Sequence, residues 1–241
     1  ANAKLGRNEL ALSYYNKSLE IENKLNRPQY LSDLLNNIGM DFFRQNNLDE
    51  AIKYFQRSLE LDKKVNNPHS IATRLNNLGA AYLKQKRYRE AEKVFLERKT
   101  LEDKIKPNRM IHSGLVEVYL QTSRYDEALE LLSKTPPVWS DSVSRRIEYY
   151  TQLGLALKGK NKHQEAAINF MNAINLLEEI RGNISSKEMF FSYGGYYSRL
   201  TPYKALLETL YEMHKKGEKL KAGGQSRFDS PTFNDRTQIR R

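Results

Sequence analysis

Leu35-Asn36-Asn37-Ile38-Gly39-Met40-Asp41-Phe42 returns as Leu75-Asn76-Asn77-Leu78-Gly79-Ala80-Ala81-Tyr82, with the two glycines 40 residues apart. Asp49-Glu50-Ala51 with Tyr54-Phe55 likewise returns as Arg89-Glu90-Ala91 with Val94-Phe95, in the same register. Further on, Leu115-Val116 and Tyr119 lead to Tyr125-Asp126-Glu127-Ala128 and Leu131-Leu132, and Leu153-Gly154 with Leu157 leads to Gln164-Glu165-Ala166 and Phe170. Upstream, Glu9-Leu10-Ala11 with Tyr14-Tyr15 is the second half of a partial unit. Five units therefore share one ladder, with Ala at 11, 51, 91, 128 and 166. Self-similarity at such a period marks a repeat architecture.

Within a unit, Leu35, Ile38, Gly39 and Phe42 follow the i, i+3, i+4, i+7 spacing of one helix face. A polar loop, Arg44-Gln45-Asn46-Asn47, separates this helix from a second amphipathic run over Leu48 to about Val65. The small Gly and Ala let two antiparallel helices approach closely, and the aromatics at 42, 82 and 119 are expected to fill the gap between neighbouring hairpins. Pro28, Pro68, Pro107 and Pro136-Pro137 punctuate the junctions, because the residue before a proline is biased away from helix. A single hairpin cannot bury its apolar face, so the units must stack. The expected fold is all-α: a right-handed α-α superhelix of antiparallel hairpins.

The Leu-Gly-x-x-Tyr element with Ala twelve residues after the glycine, as in Gly79 and Ala91, resembles the tetratricopeptide repeat family over about residues 5 to 180. The 40-residue spacing exceeds that family's usual 34 and is similar to the longer units of kinesin light chains. The resemblance implies a protein-interaction scaffold. The fourth unit departs from the pattern: Val116 takes the small position and the second helix is cut short before Pro136, so an irregularity is expected near Ser133 to Ser144.

The ladder stops after Leu176-Leu177-Glu178-Glu179, and an aromatic-rich stretch follows (Phe190, Phe191, Tyr193, Tyr196, Tyr197) before a helical run, Tyr203 to His214. This order resembles the segment joining tetratricopeptide arrays to CHAT domains, which are caspase-like proteases of bacterial signalling and defence systems, some linked to CRISPR effectors. That implies the repeat half of a longer protein; a hairpin that merely caps the array fits the same residues. Three segments are expected: an array over 1–180, capping or linker helices over 181–216, and a basic tail over 217–241. Residues 215–241 hold eight Lys/Arg against three acids with few large aliphatics, the composition of a flexible arm.

The 241 residues carry 40 Lys+Arg against 29 Asp+Glu, a net charge of +11 and a pI near 9.6, which favours acidic or phosphate-bearing partners. Without cysteine there is no disulfide framework, no thiolate zinc site and no cysteine nucleophile, the CHAT nucleophile included. No apolar stretch approaches the roughly 20 residues of a membrane span, and Ala1-Asn2-Ala3-Lys4 opens neither a signal peptide nor a chain with its initiator Met. The expected setting is cytoplasmic, with no membrane partner. His69, His112, His163 and His214 are scattered without metal-ligand spacing, and Gly194-Gly195 lacks the Gly-Lys-Ser/Thr end of a phosphate loop. No enzymatic activity, metal or small-molecule cofactor is expected. His112 is read as a packed core residue.

Two surfaces are candidates for binding. At about 100° per residue, Asn36, Asn37, Met40 and Arg44 turn away from the Leu35/Ile38/Phe42 face, and Asn76, Asn77, Ala80 and Lys84 repeat the arrangement. In the family this face lines an inner groove, where an asparagine bonds the backbone of an extended peptide; Arg44 and Lys84 add attraction for an acidic segment. The same asparagines equally suit bonds between adjacent helices, and both readings stand at this point. The carboxylate-clamp pattern of chaperone-binding members is not met, since Asp33 and Thr73 occupy the place of a lysine. The second surface is a pair of basic turns, Lys84, Lys86, Arg87 and Arg89, and Lys158, Lys160 and Lys162, which are expected along one edge of the array and offer contact to RNA or a ribonucleoprotein. Solvated turns that keep the array soluble are the alternative.

Overall fold

Pro28 and Pro68 stand at the first turn of two helices, where the missing N–H is not needed and the fixed φ suits the helix. Arg27 and Asn67 before them are non-helical, and Asn67 accepts a capping bond from the Ser70 N–H at 3.2 Å. The computed structural model describes residues 13–15, 17–21, 24–25, 27–105, 112–134, 142–182 and 199–220. All regular structure among them is α-helical. After helical residues 13–15 and 17–21, the elements are α1 (Pro28–Arg44), α2 (Leu48–Val65), α3 (Pro68–Lys84), α4 (Tyr88–Ile105), α5 (Ser113–Gln121), α6 (Tyr125–Lys134), α7 (Val143–Gly159), α8 (His163–Gly182) and α9 (Thr201–Lys215). The chain is thus an all-α repeat array of paired helices.

Two compact units divide it, Ala1–Pro107 and Asn108–Arg241. In the first, α1 pairs with α2 and α3 with α4, and α3 packs on α2. In the second, α5 pairs with α6 and α7 with α8; α7 packs on α6 and also meets α5, while α9 lies against α8.

Four hairpins turn in one way. Asn46, Lys86, Ser123 and Asn161 each adopt a left-handed φ between 58° and 63°. The next residue's N–H then reaches back to the helix: Asn47 to Phe42 O, Arg87 to Tyr82 O, Arg124 to Tyr119 O and Lys162 to Leu157 O, at 2.8–2.9 Å. This is a Schellman closure, which satisfies carbonyls that the helix end leaves open. The α9 helix ends likewise, with Gly217 at φ +68° and the Glu218 N–H on Met213 O at 2.9 Å.

The ladder alanines Ala51, Ala91, Ala128 and Ala166 are fully buried. Opposite them the glycines meet a ring four residues beyond each alanine. A Cβ on Gly39 would stand 2.7 Å from the Phe55 ring, one on Gly79 2.6 Å from Phe95, and one on Gly154 2.5 Å from Phe170. The fourth unit exchanges the volumes: Val116 takes the glycine place and Leu132 the phenylalanine place, both buried. Its second helix, α6, spans 10 residues against 18 in α2 and α4, as its proline implied. Residues 135–141, where the irregularity is expected, lie outside the described residues, as do Gly194-Gly195, the aromatic stretch through Tyr197 and the tail from 221.

The aromatics behave less uniformly than the repeat implies. Tyr82 is buried and its hydroxyl accepts from Gln56 of the preceding hairpin at 3.1 Å. Phe42 is only half-buried and stacks on Tyr54 of its own hairpin, with ring centroids 5.4 Å apart. His112 is buried at the start of α5.

Candidate functional site

The first helices α1 and α3 lie side by side, and their asparagines are divided between two jobs. Asn77 donates through Nδ2 to Asn36 Oδ1 at 2.8 Å, tying α3 to α1. Asn36 is only 8% exposed, so the expectation that it turns outward is corrected: the stacking helix covers it. Asn76 Oδ1 accepts from Arg98 of α4 at 3.0 Å, and Arg98 also holds Glu102 at 2.8 Å. Asn37 is exposed, Met40 is half-buried, and Arg44 and Lys84 are exposed. Arg44 is engaged with Asp41, and the Lys84 ammonium lies over the Phe43 ring, 4.7 Å from its centroid. The inter-helix bond recurs in the second unit with different residues: Gln152 Nε2 donates to Ser113 O at 2.9 Å, from α7 to α5.

A buried ionic group in the first unit was missed from sequence. Arg74 of α3 lies beside Asp62 of α2, with Nε 2.9 Å from Oδ2, and its other end meets Asp33 of α1. Asp62 is fully buried and Arg74 nearly so. The Nε–H is not aimed at the oxygen, so the contact acts as an ion pair rather than a formed hydrogen bond. Its signal was present: Arg74 stands between Ile71, Leu75 and Leu78, on the apolar stripe itself. Ser32 and Ser58 form a second unforeseen link, each hydroxyl donating to the other's carbonyl at 3.0 and 2.7 Å.

The second unit carries the opposite arrangement on its first helices. Glu117 of α5 is buried within Leu115-Val116-Glu117-Val118, and Gln121 donates to it at 2.8 Å. Burial raises its pKa above the ordinary carboxylate range. Glu148 of α7 is pushed up to about 7, first by burial and then by the Glu117 charge, against a hydrogen bond with Ser113 and the Arg145 charge. Where α3 places Arg74, five residues before its glycine, α7 places Tyr149, fully buried and without a charge to offer.

The basic turns do fall at intra-hairpin turns, but most of their cations are already employed. Arg87 bonds Glu90 at 2.8 Å and covers the Tyr82 ring at 4.6 Å. Arg124 does the same for Glu127 and Tyr119 at 2.9 and 4.4 Å, so this is a repeated device that seats the second helix. Lys158 pairs with Glu208 at 2.6 Å, Lys160 with Asp126 at 2.8 Å and Lys162 with Glu165 at 3.5 Å. Lys86 and Arg89 are exposed. The two turns belong to different units.

Among the described residues no group of three or more His, Cys, Asp or Glu is placed to hold a metal ion. No described helix is long and apolar enough to cross a membrane.

Three models described as tetratricopeptide repeat match the chain: one over residues 1–64 and again over 30–98, a second over 76–137 and a third over 147–176. The chain belongs to the tetratricopeptide repeat family. No curated protein matches it. Among solved structures it is similar to BtubC (BKLC) from P. vanneervenii, at 16% identity and a TM-score of 0.62 over 76% of this chain and 78% of that one. It is also similar to the tetratricopeptide-like repeats of a putative kinesin light chain from Podosopora anserina, at 16% identity and a TM-score of 0.59 over 79% and 89%. The apo form of RapI aligns at 17% identity and a TM-score of 0.55 over 88% and 80%. These likenesses show the fold. Repeats of this family are generally protein-interaction scaffolds and typically non-catalytic, and none of the matches is a catalytic domain.

Proposed function

We propose that the chain is a non-catalytic scaffold that holds an extended segment of a partner protein along its first helices, with α1 and α3 as one binding stretch. The observation that carries this is the state of the amides. Asn77 has committed its NH2 to Asn36 and keeps a carbonyl oxygen to offer; Asn76 has committed its oxygen to Arg98 and keeps an NH2; exposed Asn37 keeps both. A row of donors and acceptors of this kind matches the alternating groups of a peptide backbone. Arg44 and Lys84 at the same end favour a segment that carries acids, which fits the net charge of +11. Absence of cysteine suits a reducing compartment such as the cytoplasm. The sensor or adaptor half of a larger signalling or defence protein is the setting we favour, on the array-to-linker order of the sequence.

Contact with RNA through the basic turns has less support, because Arg87, Lys158, Lys160 and Lys162 already face carboxylates. The test uses a peptide selected on the wild-type chain from a random library, titrated against variants of matched helicity. Asn37→Ala should weaken it about 5- to 30-fold, the loss of one or two hydrogen bonds. Glu60→Ala, on exposed α2 surface, should leave it unchanged. Equal affinity for all three proteins rejects the reading.

A further inference from the structure

We propose that the Ala1–Pro107 unit carries a second docking site, between its second helices, for an acidic partner segment that presents a large aliphatic or aromatic side chain with a carboxylate beside it. The site does not depend on the first-helix reading. At about 100° per residue, Ile71 and Leu75 turn to the side of α3 opposite Thr73, Ala80 and Lys84.

Both α2 and α4 pack on α3, and a recess of about 430 Å³ opens between them over that helix. Its floor is apolar. Leu75 is fully buried, while Ile71 of α3 and Leu101 of α4 are half-buried and keep carbon open to water. Exposed Leu96 stands one turn before Thr100 and extends this surface along α4.

The rim settles which charge the recess prefers. Lys63 of α2 and Glu97 of α4 reach each other across it at 2.6 Å, so these two charges offset one another. Thr100 gives its hydroxyl to Leu96 O at 2.9 Å. Lys104 is exposed, and its ammonium makes no ion pair or hydrogen bond with another described residue. The unspent polar group of the lining is therefore a cation. An entering side chain meets hydrocarbon below and a positive charge at the mouth. Hydrocarbon flanked by a carboxylate complements both, and a basic neighbour is repelled. A free small molecule needs several placed polar groups to fix its orientation, and this lining has one to spare. A protein segment brings further anchorage of its own along Leu96.

The test is a titration of the whole chain, labelled with 13C at its Ile and Leu methyls. The probes are N-acetyl-Asp-Phe-Leu-Glu-amide, its counterparts with Lys at both acidic positions or Ser at both apolar ones, and octanoate. The expected result is saturable shifts of the Ile71, Leu75 and Leu101 methyls with the acidic apolar peptide. The lysine form should bind more weakly and the serine form should not saturate. Lys104→Gln should weaken the acidic peptide about two- to fivefold. Thr100→Trp, at an exposed position, fills the recess and should abolish binding at unchanged helicity. The proposal is overturned by the absence of saturable shifts, by equal binding of the lysine or serine form, or by wild-type affinity in either variant. Octanoate binding as tightly as the peptide marks a small-molecule site and also overturns it. So do methyl shifts that follow the chain's own concentration before any probe is added, the sign of a second copy in the recess. Asn37→Ala, on α1, should leave these shifts unchanged, so failure of the first-helix reading is seen separately.

Discussion

Buried acids are treated in opposite ways by the two units. In Ala1–Pro107 the fully buried Asp62 has a buried arginine beside it, and that arginine also reaches the neighbouring first helix. In Asn108–Arg241 buried Glu117 of α5 and half-buried Glu148 of α7 are both held above the ordinary carboxylate range, chiefly by burial and, for Glu148, also by the Glu117 charge. The backbone plan is the same in both: paired helices, a left-handed turn residue, a small residue opposite a large one. What differs is which charges the plan is asked to bury. Stacking is therefore a property of the repeat, whereas electrostatic character is set unit by unit.

That contrast breaks most sharply at Arg74. Arg74→Met leaves Asp62 as an uncompensated buried charge and should cost about 3–5 kcal/mol in urea unfolding. Adding Asp62→Leu should recover most of the loss, because a buried pair often contributes little beyond what an apolar pair of similar volume does. If Arg74→Met alone is neutral, the pair is not buried as described.

Glu148 gives the next largest effect, with a sign fixed by its titration. Its folded pKa of about 7 lies above the ordinary glutamate value of 4.5, so the fold favours the neutral form. Stability from this group is then fully present below about pH 4.5 and is lost as pH rises towards 7, by about 3 kcal/mol in all. Glu148→Gln should remove that slope, leaving the protein near wild type at pH 4 and more stable than wild type at pH 8. Parallel stability curves for both proteins would contradict it.

Which of these features could be seen in the chain itself follows from how a repeat is detected. Aligning like with like found Gly39 under Gly79 and Ala51 under Ala91, and so the hairpins and their turns. It did not align across the seam, and so passed over Phe55, Phe95 and Phe170 as the other half of each glycine, although Val116 with Leu132 shows the same sum of volumes redistributed. Asn36 and Asn77 were visible as a repeated pair, yet which bonds they make depends on a neighbour 41 positions away. Arg74 and Glu117 stand among apolar residues, a local inconsistency that signals a partner elsewhere without naming it. The basic turns looked uniform because sequence lists cations and not the acids folded against them.

The turns themselves sharpen the comparison least. Lys86 holds φ 60° where Asn46 and Asn161, better suited to that region, hold 63° and 58°. Lys86→Gly should therefore raise stability by about 0.5–1 kcal/mol, read from the same urea curves. A loss of stability would mean that the lysine side chain contributes something beyond its backbone shape.

The measurement that reaches the centre of the account is a double-mutant cycle that gives the third hairpin the seam of the fourth, Gly79→Val with Phe95→Leu. Gly79→Val alone puts carbon within the Phe95 ring and should cost about 3 kcal/mol, with Phe95→Leu alone costing about 1. Because the seam tolerates either division of volume, the pair together should cost less than Gly79→Val by itself. Strict additivity of the two losses would show that the glycine and the ring do not share one space, and the hairpins would then have to be held together by something else.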